Sequence, residues 1–194
     1  MNNLQKKNLF ILIVVATLAT LPWLGFSDFN TKGEPREAIV SLTMLQQDNW
    51  ILPHNNGGEM AYKPPFFHWC IAATATVLGG MSEWAARFPS ALACILMLAW
   101  MYVYYTKRRD AGTALTASLI CLGCFEIFRA AHACRVDMVL TFCIVGAIYA
   151  FARWTEHEHR RPVPWLAILM MSLGTLTKGP VAIVLPCGVT GLYL

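Results

Sequence analysis

The chain has 194 residues, 57% of them hydrophobic and 13% charged, with a mean hydropathy of +0.50. A soluble domain of this length is about half apolar and about a quarter charged, so the composition excludes an ordinary water-soluble globule and makes the bilayer the solvent for most of the chain. The formal net charge of +4 is spread over short connecting segments, which excludes a nucleic-acid-binding face and suits a topology signal.

The first apolar run, residues 9–26, follows Lys6 and Lys7. Pro22, Trp23 and Leu24 stand where a leader would carry small residues for cleavage, which predicts a retained first span; a cleaved leader is the alternative reading. A polar stretch, residues 27–65, comes next and sets Lys32, Glu34, Arg36 and Glu37 at the bilayer edge. From Pro35 the apolar residues Ala38, Ile39, Leu42 and Leu45 recur at helical spacing, with Glu37, Ser41 and Asp48 elsewhere. Proline suits a first helical turn, so "EPREAIVSLTMLQQDNW" predicts an amphipathic helix in the membrane interface, apolar face down. Either its charges merely snorkel from a juxtamembrane helix, or Glu34 at the helix start reaches a substrate. In "AYKPPFFHW", Pro64 and Pro65 hold Lys63 in extended chain at headgroup depth, where it can meet a phosphate as a point charge. An ordinary interfacial lysine beside Phe66, Phe67 and Trp69 is the alternative, and His68 reads as an interfacial hydrogen-bonding group.

Apolar blocks follow at residues 66–81, 84–105, 111–128, 138–154, 165–176 and 181–194, all expected to be helical because lone strands cannot satisfy their backbone in lipid. Lys6 and Lys7, "KRRD" and "EHEHRR" are the basic segments and belong inside, leaving residues 27–65, "RAAHACRVD" and "TKGP" outside. Block 66–81 is short of the ~20 residues a span needs and ends in Gly79-Gly80, so residues 66–105 are expected to make one net crossing with a re-entrant first part. In "CRVDM", Asp137 sits at a membrane boundary, where an ionisable group is either tethered by Arg135 or functional. Lys178 precedes a helix break at Gly179-Pro180, which either merely ends a helix or offers a cation and freed backbone groups to an anion. "HEHRR", His157 to Arg161, reads as a solvated inner loop rather than a metal cluster. The seven cysteines, an odd number lying largely in apolar runs, read as buried thiols, the Cys121/Cys124 pair included. The chain ends inside an apolar run, which predicts that residues 1–194 are the N-terminal part of a longer transmembrane domain.

Together these residues resemble the GT-C membrane glycosyltransferases of the protein O-mannosyltransferase and lipid A aminoarabinose transferase superfamily. The run "GEPREAIVSLTMLQQDNWILPHNNGGEMAYKPPFFHW" is similar to their first extracytoplasmic loop, and "GGMSEWAARFPSAL", "CRVDM" and "LTKGP" follow in the same order. The resemblance implies an all-α polytopic bundle with a juxtamembrane amphipathic helix in its first outer loop. It implies multi-pass residence in the bacterial inner membrane, with the site on the extracytoplasmic face. The implied partners are membrane lipids, a polyprenyl-phosphate-linked sugar as donor, and a glycolipid or protein as acceptor. It implies Glu34 as general base, Arg36, Lys63 and Lys178 as donor-phosphate ligands, and Asp137 and Arg135 as cavity-lining groups. Two positions depart from the pattern. Gly33-Glu34 replaces an Asp-Glu pair, and Tyr62 stands where the aminoarabinose transferases carry an acidic residue linked to a metal site. No residue is therefore assigned to a metal, and a divalent cation is left open as cofactor. Such a transfer needs a base for the incoming hydroxyl and cations for the departing phosphate. A multispan lipid or sugar transporter, or a non-catalytic membrane subunit, remains the competing reading of the same cluster.

Overall fold

The computed structural model describes residues 1–56, 58–156 and 163–193; the "HEHRR" segment lies outside them. Helix α1, Asn3–Thr20, begins with a capping box between Asn2 and Gln5 and runs into a single 3-10 turn, Leu21–Trp23, with Pro22 near its start. Helix α2, Gly33–Gln47, follows a loop and ends at Asp48 in the left-handed conformation. A two-residue ladder pairs His54–Asn55 with Glu59–Met60. Everything else regular among the described residues is helical: α3 Phe66–Leu78, α4 Glu83–Thr106, α5 Ala111–Gly123, α6 Phe125–Ala131, α7 Val136–Glu156, α8 Trp165–Lys178 and α9 Val181–Tyr193. The expected all-α class holds.

Residues Asn3–Trp23, α4 and α7 are long and apolar enough to cross a membrane. Block 111–128 differs from expectation: the chain bends by 70° at Cys124, whose extended backbone separates α5 from α6, so this span is broken. Helices α8 and α9, at 14 and 13 residues, rise only about 20 Å and are shorter than the hydrocarbon core. The bundle shows its apolar side chains outward, with Phe10, Leu18, Val77, Ile120 and Val184 all exposed, as hydrocarbon demands and water would penalise.

Inside, Leu12 and Ala16 of α1, Phe67 and Ile71 of α3, Cys94, Leu98 and Tyr102 of α4, and Met138 of α7 form one core. Small residues let the helices approach closely. A methyl added to Gly174 of α8 would fall 2.6 Å from the Cβ of Ala182 in α9 and 3.1 Å from that of Cys143 in α7.

Helix α3 starts beside α2, with His68 against Glu37. The turn after it, opened by Gly79 in the left-handed region, leads within four residues to α4, whose Trp84 and Arg87 touch Leu21 and the 24–28 backbone. Both ends of α3 therefore lie near the end of the bundle where α1 finishes, and at 13 residues α3 is among the shorter apolar helices rather than the span-length ones. All seven cysteines are free; Cys124 and Cys187 are exposed rather than buried, because the bend and the outer side of α9 turn them outward.

Candidate active site

Helix α2 turns its carboxylates toward the protein and Leu42 outward, so the two glutamates do not snorkel, while Arg36 stays partly exposed. Glu34 is 2% exposed. Its Oε1 accepts from Arg87 Nε at 3.1 Å and from the Cys134 N–H at 2.9 Å, and its Oε2 accepts from the Asn30 N–H at 2.8 Å. Arg87, itself 1% exposed, donates its remaining hydrogen bonds to the carbonyls of Leu24, Ser27 and Asp28. Burial pushes the Glu34 carboxyl up, but the Cys134 N–H, the Arg87 guanidinium and the Asn30 N–H together hold it below its ordinary value. A general base needs a lone pair facing its acceptor. Glu34 accepts from three protein donors, which tie α2, α4 and the α6–α7 turn together and leave its carboxylate about one acceptor direction for the base role expected of it.

One turn further on, Glu37 is also 2% exposed. Lys63 Nζ lies 2.6 Å from its Oε1 and His68 Nε2 lies 2.8 Å from its Oε2, with Arg36 Nη2 at 3.7 Å. Burial again pushes this carboxyl up, and His68 and Lys63 outweigh it and hold it low. The recess beside them, lined by Arg36, Tyr62, Lys63 and His68, has a volume of about 10 Å³, room for one water.

The third group sits at the start of α7 and the end of α8. Asp137 accepts from Lys178 Nζ at 2.6 Å and from Arg135 Nε at 3.2 Å. All three side chains are a third to a half exposed. Gly179, at φ +90° and ψ −158°, uses a backbone region open to glycine alone and so ends α8 where Lys178 can turn to Asp137. A Cβ on Gly33 would stand 3.9 Å from the Arg135 guanidinium, so the bare glycine leaves open space next to Arg135. Lys63 is within electrostatic reach of Asp137. The buried Cys134 thiol, pushed up by burial, feels Glu37, Glu34, Arg87 and Lys63 at once.

Glu34, Arg36, Lys63, Arg135, Asp137 and Lys178 thus gather at one end of the bundle. Arg87 and Glu37 were missed as site residues. An arginine four residues into an apolar helix was the signal for the first, since such a group is carried only with a partner. Spacing of three from Glu34 on one helix was the signal for the second. Among the described residues no three His, Cys, Asp or Glu side chains converge as metal ligands. The pair Glu37 and His68 has the Lys63 ammonium on its carboxylate and the exposed Tyr62 beside it, a donor set that does not fit a divalent cation. A larger cavity, about 500 Å³, opens at the opposite end beside Tyr104, Thr155 and Glu156, away from these groups.

The helix arrangement recurs in the crystal structure of ArnT from Cupriavidus metallidurans bound to undecaprenyl phosphate, with a TM-score of 0.83 over 95% of this chain and 35% of that one, at 24% identity. The fold is that of a GT-C membrane glycosyltransferase. An uncharacterized protein of Aquifex aeolicus is 31% identical over 98% of this chain, and an undecaprenyl phosphate-alpha-4-amino-4-deoxy-L-arabinose arabinosyl transferase of Pectobacterium carotovorum is 28% identical over 94% of it. Residues 62–194 match the dolichyl-phosphate-mannose-protein mannosyltransferase family, and the chain belongs to that family. It spans 38% and 33% of the length of those two relatives.

Proposed function

We propose that this chain forms the donor-binding end of an inner-membrane glycosyltransferase that moves a sugar from a polyprenyl phosphate to a glycolipid or protein on the extracytoplasmic face. The observation that carries the reading is convergence. Lys63, Asp137 and Lys178, distant in sequence, come together at one end of a bundle whose flanks are apolar, the surface a prenyl tail requires. The names of the relatives support it, since one is called an undecaprenyl phosphate sugar transferase and the solved neighbour holds undecaprenyl phosphate. Lys63, Lys178 and Arg36 stabilise the leaving phosphate, and Arg135 stands beside them on Asp137. Asp137 is the carboxylate best placed to take the acceptor's proton, because its side chain is a third exposed whereas Glu34 and Glu37 are buried. Glu34 is a positioning residue that acts through Cys134 and Arg87.

The test uses the full-length protein in lipid nanodiscs with labelled undecaprenyl-phosphate sugars. Asp137→Asn is expected to lower transfer by about 10²-fold or more at an unchanged unfolding temperature. Glu34→Gln is expected to lose activity only in step with lost stability. Full transfer by Asp137→Asn sinks the assignment of the base. Undecaprenyl phosphate binding that ignores Lys63→Ala together with Lys178→Ala sinks the donor site itself.

A further inference from the structure

The pairing of Glu37 with Lys63 is hard to reconcile with a site built simply to grip phosphate. Lys63 lines the recess together with Arg36, and a buried carboxylate takes its ammonium at 2.6 Å. His68, 1% exposed, holds the other carboxylate oxygen, so Glu37 cannot swing away. Its charge persists, because the carboxyl is kept below its ordinary value. Arg36 and Lys63 set against Glu37 leave this half of the site with a single net positive charge. The bond changes in the transfer explain what such a charge is for. The donor is a phosphodiester carrying one negative charge. When the bond from the anomeric carbon to the phosphate oxygen breaks, its electron pair stays on that oxygen. The acceptor oxygen then bonds to the anomeric carbon and gives up its proton. The prenyl phosphate left behind is a monoester carrying two negative charges above its second pKa of about 6.

We propose that Glu37 is a specificity-determining residue that tunes the phosphate site to the singly charged donor and speeds the release of the doubly charged product. The inference rests on the donor-site reading above. Glu37 lies close enough to a phosphate on Lys63 for each unit of ligand charge to be opposed by a factor on the order of tenfold in affinity.

The test measures binding of two probes to the full-length protein in nanodiscs at pH 8: undecaprenyl phosphate and its methyl diester. Glu37→Gln keeps the shape and the acceptor oxygen while removing the charge. It is expected to tighten the monoester roughly hundredfold and the diester roughly tenfold, so their affinity ratio moves about tenfold. Glu37→Asp, which keeps the charge, is expected to leave the ratio near the wild-type value. A purely structural role would change both probes alike, and an unmoved ratio in Glu37→Gln overturns the proposal. The wild-type protein supplies a check free of any folding effect, since a preference for the monoester above about hundredfold also overturns it. Lys63→Met separates the two levels of argument. If it leaves both probes unaffected, the donor-site reading fails. If it weakens both while the Glu37→Gln ratio stands still, only the role of Glu37 falls.

Discussion

Arg87 pairs with Glu34 and donates to the Leu24, Ser27 and Asp28 carbonyls, closing the α1–α2 loop onto α4 through protein atoms. A guanidinium so enclosed is tolerable only while Glu34 faces it, because a lone buried charge keeps its full desolvation penalty. Arg87→Met is therefore expected to destabilise the protein by about 3–5 kcal/mol, read as the shift in its unfolding midpoint in detergent. The two buried carboxylates also set the acid limit. Both Glu34 and Glu37 have folded-state values below the ordinary 4.5, so the unfolded chain binds protons first as pH falls. Their contribution is present in full above about 4.5 and is lost as pH drops through the lower folded values. Unfolding temperature is expected to stay level from pH 8 to 5 and to fall below 4.5, and Glu34→Gln, which has no such proton to take up, should show a shallower fall. An unchanged acid slope in that variant would remove Glu34 as its source. The carboxylates were legible as charged residues at a membrane edge. Their inward direction was not, because the spacing of Ala38, Ile39 and Leu42 reads as one lipid-facing side, whereas Ala38 packs in the core and of the three only Leu42 is exposed.

At the scale of elements, α8 decides whether Lys178 reaches Asp137. The helix is held against α7 and α9 by the absence of a side chain at Gly174, and its end is turned by Gly179. A methyl at position 174 would fall 2.6 Å from the Ala182 Cβ, a short stub that cannot rotate aside, so the helices must separate. Gly174→Ala is expected to destabilise by about 1–3 kcal/mol and to weaken undecaprenyl phosphate binding through Lys178, whereas Gly188→Ala, in open space, should do neither. Equal behaviour of the two variants would show that α8 is not positioned by close packing. The break after α8 was readable from Gly179-Pro180; α4, expected from residue 84, starts at Glu83 behind Ser82, which accepts the Ala85 N–H. The bend at Cys124 was not readable. "LICLGCFE" is apolar throughout its first six residues and has no proline, so periodicity alone runs a single helix through it.

For the whole molecule, the question is which elements face which side. The chain carries its ion pairs at two opposite ends. Lys63, Glu34, Glu37 and Asp137 mark one, and Arg108 with Glu156 marks the other, where Arg108 also stacks over the Tyr104 ring. Asn8 touches the Ala111 carbonyl at that second end, so the N-terminus, the α4–α5 turn and the end of α7 lie together. This is the grouping that basic-segment logic requires of an inner face, with Lys6, Lys7, Lys107 and Arg109 all belonging to it. It also depends on α3 not crossing, since one more span would reverse every helix after it. Cysteines at Asn55 and Arg109 separate the alternatives. Both positions lie outside the helices, and Arg109 avoids Asp110, whose side chain caps α5. In intact cells an impermeant maleimide is expected to label Asn55→Cys and to leave Arg109→Cys unmodified until the membrane is opened, each measured against the native cysteines. If both were labelled from outside, α3 would have to span the membrane. Lys63 at its beginning and Arg87 in the following helix would then stand a bilayer apart, and the Glu34–Arg87 and Glu37–Lys63 pairs, joined through one short helix, could not form together.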